Sequence, residues 1–355
     1  MTVKRRPFDE ARLRETIELL KENNGNIRKT ARDLGCSQKL VQNLIDAADS
    51  AGMFETEPCP ALRQAPVSRL RSFTKLREDR IAEYERRKLS GTAQSHHVID
   101  MPDDGPFGLI AIGDPHYDDP GTDLEDYERW TAPLEKKSGA VYGLLLGDLL
   151  NNWVFPKLAR LHGEQTTMQD EAWVLVETYV KRIANKLLAS CSGNHDDWSN
   201  ADLIGWIMDK NGVLHRKIGI SLSLRTPSGY SVSVAMRHRW SGRSQWNAVH
   251  AITKAAQLGR REDILIGGDK HISGEGFVKC PSTGKITNCH QVASFKKIDD
   301  YGEELGLPDQ HVTPAIGLLV DPARPNTDKQ RVITVYDPDL LVDMVQWLRK
   351  KQGYK

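Results

Sequence analysis

Five short stretches of the 355-residue chain each set oxygen or nitrogen donors directly behind an apolar run. "FGLIAIGDPH" ends in Asp114 and His116, and "VYGLLLGDLLN" ends in Asp148 and Asn151. "LLASCSGNHD" ends in Asn194 and His195, "YSVSVAMRH" in His238, and "DILIGGDKH" in Asp269 and His271. Carboxylates, imidazoles and amides in that mixture are ligand types for divalent cations. The chemistry such a set could serve is metal-assisted hydrolysis, in which bound divalent ions neutralise charge on the substrate and supply a nucleophile derived from water at neutral pH. A single Asp-x-His or a single "GNHD" is common, whereas five such endings in order are not a chance pattern.

The elements that must carry these residues follow from their flanks. Each apolar run predicts a buried strand, and an extended backbone turns residues two apart to one side, so Asp114 and His116 are expected to reach a common point. In open α/β sheets, sites form beyond the carboxyl ends of the strands, which would bring the five endings together. From about Pro106 onward, short apolar runs alternate with helical or loop segments, the grammar of an α/β domain. Near the C-terminus, "RVITVY" reads as a strand and "DLLVDMVQWLRKK" as an amphipathic helix, both closing layers of the sheet.

The order D-x-H, GD-x-x-N, GNHD, H, then G-x-x-H resembles the calcineurin-like metallophosphoesterase superfamily over residues ~107–275. That resemblance implies a β-sandwich flanked by helices that cleaves phosphoester bonds, with two divalent ions ~3.5–4 Å apart as cofactors that neutralise the phosphoryl oxygens and supply the hydroxide nucleophile. It implies that Asp148 bridges the ions, that Asp114, His116 and His271 complete the first site, and that Asn194 and His238 belong to the second. His195 would act as the general acid, with Asn151 orienting the phosphate or that histidine. The chain departs from the family at "GGDKH", where Asp269 replaces the first histidine of Gly-His-x-His. An anionic ligand there favours Mn²⁺ or Mg²⁺ over Zn²⁺, and Mn²⁺ is the leading expectation, with Fe²⁺ also compatible. The alternative is that His250 takes that position instead of Asp269.

The segment after His238, "RWSGRSQWNAVH", offers Arg239, Arg243 and Trp246 as substrate-binding candidates. Arginines can hold phosphates, and an indole can stack on an unpaired base. Equally, Trp240 and Trp246 can be core anchors of a long loop, and the same two readings apply to Trp153 and Trp198.

Residues 8–52 read as three short helices whose apolar positions recur at three- and four-residue spacing. "NIRKTARDLG" followed by "SQKLVQNLIDAA" resembles a helix-turn-helix. Ser37, Gln38, Lys39, Gln42 and Asn43 would then face DNA. The other reading is a bundle that docks protein. The expected organisation is a small all-α helix-turn-helix domain over 1–52, a linker with a charged helix over 53–105, and an α/β metallophosphoesterase domain over 106–355. Proteins joining such a module to this core look like those of tailed bacteriophages, which implies DNA processing in the host cytoplasm.

Gross composition narrows the function classes. The chain is 39% hydrophobic and 27% charged, and no apolar run approaches a membrane span. The basic N-terminus lacks the apolar segment of a secretory signal, so a cytoplasmic location is expected. Residues 1–92 carry 19 Lys/Arg against 14 Asp/Glu, and the remainder 30 against 34, so affinity for nucleic acid is expected mainly at the N-terminal end. The five cysteines, Cys36, Cys59, Cys191, Cys280 and Cys289, include no C-x-x-C pair and read as reduced thiols. His162, His215, His290 and His311 have no motif partner. Three functions follow: a DNA phosphodiesterase, a phosphomonoesterase of protein or nucleotide, and a regulator whose metal site has decayed. The retained donors disfavour the third.

Overall fold

The computed structural model describes residues 8–54, 71–94, 96–152, 165–198, 202–244, 246–298 and 314–354. Cys59, Trp153, His162 and His311 lie outside these residues. The chain divides into two compact units, 1–83 and 84–355, with the division inside the charged helix.

In the first unit, α1 (Glu10–Glu22), α2 (Ile27–Asp33) and α3 (Gln38–Ser50) form the three helices that the apolar spacing predicts. Each starts at a polar cap, Asp9, Asn26 or Ser37, whose side chain accepts an N–H of the first turn. Leu13, Ile17, Leu44 and Ala48 close one small core. Buried Asn23 ties α1 to α2, donating to Thr30 Oγ1 at 3.3 Å and Asp33 Oδ2 at 2.8 Å. The charged helix is α4 (Phe73–Gln94).

The second unit holds two six-stranded mixed sheets. The first runs β12-β11-β2-β3-β4-β5, built from β2 (Phe107–Ile112), β3 (Val141–Leu145), β4 (Leu187–Cys191), β5 (His215–Arg216), β11 (Ala315–Val320) and β12 (Val332–Val335). Strands β2 to β5 are parallel, joined through α5 (Leu124–Glu135), α6 (Gln169–Ile183) and α7 (Leu203–Lys210), while β11 runs antiparallel between β2 and β12. The second sheet runs β1-β6-β7-β8-β10-β9, from β1 (His96–Asp100), β6 (Ile220–Arg225), β7 (Ser231–Arg237), β8 (Ile264–Gly267), β9 (Gly274–Lys279) and β10 (Ile286–Gln291).

Side-chain alternation explains how these layers stack. On β2, Leu109 and Ala111 join Leu222, Val234 and Ile266 in a core between the sheets, whereas Ile110 and Ile112 join Trp130, Val176 and Leu341 under the helices. Burial on both faces is why this strand reads as an unbroken apolar run. The second sheet's outer face, at Ala235, Leu265 and Cys289, is covered by α8 (His250–Gln257) through Ala251, Ile252 and Ala256. C-terminal α9 (Pro338–Lys351) packs on β2 and β11 through Leu341 and Val345. The result is the α/β domain that the pattern predicted, in the helix-flanked sandwich form that the resemblance implied. Among the described residues, no helix is long and apolar enough to cross a membrane.

Candidate metal centre

The carboxyl ends of β2, β3 and β4 from one sheet, and of β7 and β8 from the other, deliver the five sequence motifs to one place. Strand β2 ends at Ile112, however, so Asp114 and His116 are not on an extended backbone. Both take left-handed φ of 42°. The expectation that strand alternation aligns them is therefore corrected: a tight loop turns them inward. Asp148, Asn152, Asp269 and His271 share this backbone region, with φ of 51°, 46°, 74° and 51°. A non-glycine residue held there carries strain, which recurs where side chains are aimed for function.

The loops after β3 and β4 touch, which sets the position of Asp148. A Cβ added at Gly193 would lie 1.9 Å from Asp148 Oδ1, and one at Gly147 would lie 2.1 Å from the Gly193 nitrogen. Only glycines allow this approach. Asp196 then locks the loops by accepting the backbone N–H groups of Asp148, Leu149 and Gly193 at 2.9, 3.0 and 2.8 Å. Burial and nearby Asp148 push its carboxyl up to about 7, against the pull of those donors.

Two groups of donors form, and Asp148 belongs to both: His116, Asp148 and His195, and Asp114, Asp148 and His238. Within each group the ligating atoms lie within 4.8 Å of one another. Asp114 Oδ1 and both ring nitrogens of His116 are buried with no hydrogen-bond partner. Such orphaned groups cost about 1–3 kcal/mol each, and a divalent cation would satisfy Asp114 Oδ1 or the lone-pair nitrogen of His116, each of which belongs to one of the two groups. The donor set therefore fits a metal ion.

Backbone carbonyls orient two of the imidazoles. His238 Nδ1 donates to Leu146 O at 2.8 Å, leaving Nε2 at 3.1 Å from Asp148 Oδ2 and 3.2 Å from Asn194 Oδ1. His195 Nδ1 donates to Asn151 O at 2.7 Å, and its Nε2 stands 4.0 Å from Asp148 Oδ2. The ring of Trp198 lies against His195, with centroids 4.0 Å apart. Although burial opposes both shifts, Asp148 and Asp114 hold the His238 imidazole well above its usual pKa, and His238, His195 and His116 hold Asp148 below the carboxylate range. Burial, then His195 and His271, push His116 well below the imidazole range. His116 is thus a neutral donor, the form that binds metals.

The other predicted residues are placed as follows. His271 lies at the rim, Nε2 3.8 Å from Asp114 Oδ2 and its ring 5.3 Å from that of His116 between centroids, and stands outside both donor groups, whereas His195 belongs to one. Asp269 donates its N–H to Asp114 Oδ2 at 2.7 Å, while its carboxylate is held by Arg239. His250, the first residue of α8, is in neither group. The backbone carbonyl of Asn151 orients His195, while its side chain donates to Asp119 and leaves a buried, unpartnered Oδ1. Arg243 is exposed and Trp246 is 94% exposed, whereas buried Trp240 donates to Ile266 O and anchors the loop in the core. His215 sits between Ser190 and Ser192, and His290 is buried, both apart from the centre. In the first unit, Gln38, Lys39 and Gln42 are exposed and Asn43 is half-buried. Ser37 caps α3, and Gln42 donates to Asp46 at 2.9 Å.

Sequence reasoning missed Asp196, Asp118, Asn152 and Lys296. Asp118 accepts the Asn151 N–H at 2.7 Å, Asn152 donates to His195 O at 2.7 Å, and buried Lys296 pairs with Asp119 at 2.9 Å. Asp196 is the last residue of the quoted GNHD and Asp118 stands two residues past D-x-H, signals that could have found them. Lys296 carries none.

No protein-family model and no curated protein matches the chain. Among solved structures, it is similar to vacuolar protein sorting 29 from Cryptosporidium parvum, at 13% identity and TM-score 0.34, over 65% of this chain and 97% of that one. It is also similar to the calcineurin-like phosphoesterase YfkN from Bacillus subtilis, at 11% identity and TM-score 0.34, over 70% of this chain and 97% of that one. At such identities the functional reading rests on the side chains themselves.

Proposed function

We propose that the chain is a divalent-metal-dependent phosphoesterase of the calcineurin-like type, acting on phosphodiester bonds of DNA. The observation that carries this reading is the shared carboxylate: buried Asp148 belongs to two donor groups whose remaining members include unpartnered ligand atoms. Asp114, His116, Asp148 and His238 would hold the metal, with Asn194, Asp269 and His271 at its edge. When bound, the metal supplies positive charge for the phosphoryl oxygens and makes water nucleophilic at neutral pH.

The protein's own groups account for the rest. His195, its Nδ1 proton committed to Asn151 O, offers Nε2 toward the centre as general acid. Hydrolysis joins the oxygen of water to phosphorus with release of one water proton to solvent, and breaks the bond to the leaving oxygen, which takes a proton from His195; solvent then reprotonates His195. Asp196 and Asn152 hold the loop bearing His195, and the Trp198 ring restricts its rotation.

DNA as substrate is supported by the first unit, where α3 presents Gln38, Lys39 and Gln42 to solvent behind the Ser37 cap. Amide and ammonium groups on one helix face suit base edges and phosphates. Mn²⁺-dependent hydrolysis of bis-p-nitrophenyl phosphate, compared with p-nitrophenyl phosphate, tests the reaction class, with Asp148→Asn as control. Diester preference that vanishes in the variant is expected; monoester preference would favour a phosphatase, and no activity on either would refute the reading.

A further inference from the structure

We infer that the guanidinium of Arg239 serves as the second cation of this centre, so that the protein holds one divalent ion tightly rather than two. The inference rests on the phosphoesterase reading and concerns the half of the centre where the sequence departs from its resemblance.

Around His238 Nε2 stand Asp148 Oδ2 at 3.1 Å, Asn194 Oδ1 at 3.2 Å and Asp269 Oδ1 at 3.7 Å. These are the donors expected of a second metal site. Two of them are already engaged. Arg239 Nε donates to Asp269 Oδ2 at 2.9 Å, and its Nη2 donates both to Asp269 Oδ1 and, at 3.3 Å, to Asn194 Oδ1. A two-pronged arginine–carboxylate pair is among the strong charge-assisted contacts, and guanidinium does not lose its proton in proteins.

Residue type explains why the pair exists. A histidine at position 269 would offer a neutral ring nitrogen, to which a guanidinium has nothing to donate strongly. Asp269 supplies two anionic oxygens in the geometry that the fork matches. Charge balance agrees: Asp114, Asp148 and Asp269 are offset by one divalent ion and Arg239, whereas two divalent ions beside Arg239 would leave an excess of positive charge. Binding a second ion would require the Asp269 and Asn194 oxygens to leave the arginine. Since the Arg239 side chain is 60% exposed, it also presents donors to a phosphoryl group arriving from solvent.

Mn²⁺ titration of the chelator-treated full chain, by calorimetry and electron paramagnetic resonance, tests this. Wild type is expected to bind one Mn²⁺ tightly, with any second ion at least tenfold weaker and no spin-coupled pair at one equivalent. Arg239→Met should tighten the second ion at least tenfold and produce the coupled signal, and Arg239→Met with Asp269→Asn should lose that gain. Two equally tight ions in wild type, or an unchanged second ion in Arg239→Met, would overturn the inference while leaving the phosphoesterase reading intact. Failure of every form to bind Mn²⁺ would overturn both.

Discussion

Replacing Gly193 with alanine should disable the centre without a comparable loss of fold. The added Cβ would lie 1.9 Å from Asp148 Oδ1 and 2.4 Å from the Asp148 nitrogen, where Cβ contacts under 3.0 Å are essentially never found. The carboxylate oxygen must therefore retreat by at least 1.1 Å, the difference between 1.9 and 3.0 Å, and the backbone must follow. A misplacement of about 1 Å at a reacting centre can cost ~10²-fold in rate. Because Asp148 is shared by both donor groups, Mn²⁺ affinity should fall together with diester hydrolysis. Gly139→Ala is the matched control: it sits at φ +95° with nothing within 4 Å of the new Cβ. It should cost about 1 kcal/mol of stability through backbone strain and leave Mn²⁺ affinity unchanged. Calorimetric Mn²⁺ titration and bis-p-nitrophenyl phosphate turnover on both variants decide the matter. If Gly193→Ala keeps Mn²⁺ affinity and rate within threefold of wild type, the contact between the two loops does not position Asp148.

His116→Ala and Asp148→Asn should abolish turnover and lower metal content measured by mass spectrometry. His195→Ala should retain metal and lose rate mainly on esters with poor leaving groups; equal metal loss in all three would make His195 a ligand rather than the acid. Lys39→Ala should weaken DNA binding evenly across sequences and reduce the salt slope by about 1, read from titrations at several ionic strengths. An unchanged slope removes Lys39 from the interface. Leu44→Ala truncates a fully buried side chain in the small core of the first unit, at a cost of about 2–5 kcal/mol, much of what a domain of this size possesses. It should abolish DNA binding and lower helical circular dichroism while bis-p-nitrophenyl phosphate turnover persists; loss of turnover would show that the second unit depends on the first.

The legible parts of this molecule were those written in local pattern. The unbroken apolar run of Phe107–Ile112 announced a strand buried on both faces, and the spacing of Leu13, Ile17, Val41 and Leu44 announced helices. The motif endings were legible for the same reason, since each donor lies within a few residues of its strand. How Asp114 and His116 reach the centre was not, because their left-handed φ is imposed by contacts made elsewhere: Ser294 Oγ donates to Asp114 O at 2.6 Å, and the His116 N–H donates to Asp148 O at 3.1 Å. Asp196 was hidden because its role is to accept N–H groups from a loop 47 and 48 residues away. Arg239 was visible as a cation at the rim, but its meaning required Asp269, 30 residues on, to lie against it. Read together, those two positions explain one another. The sequence showed an aspartate where the resembling family has histidine, and the structure gives that aspartate a guanidinium as its partner. On the inference drawn above, the substitution does not mark decay of the centre, because the single positive charge of Arg239 offsets the negative charge that Asp269 adds.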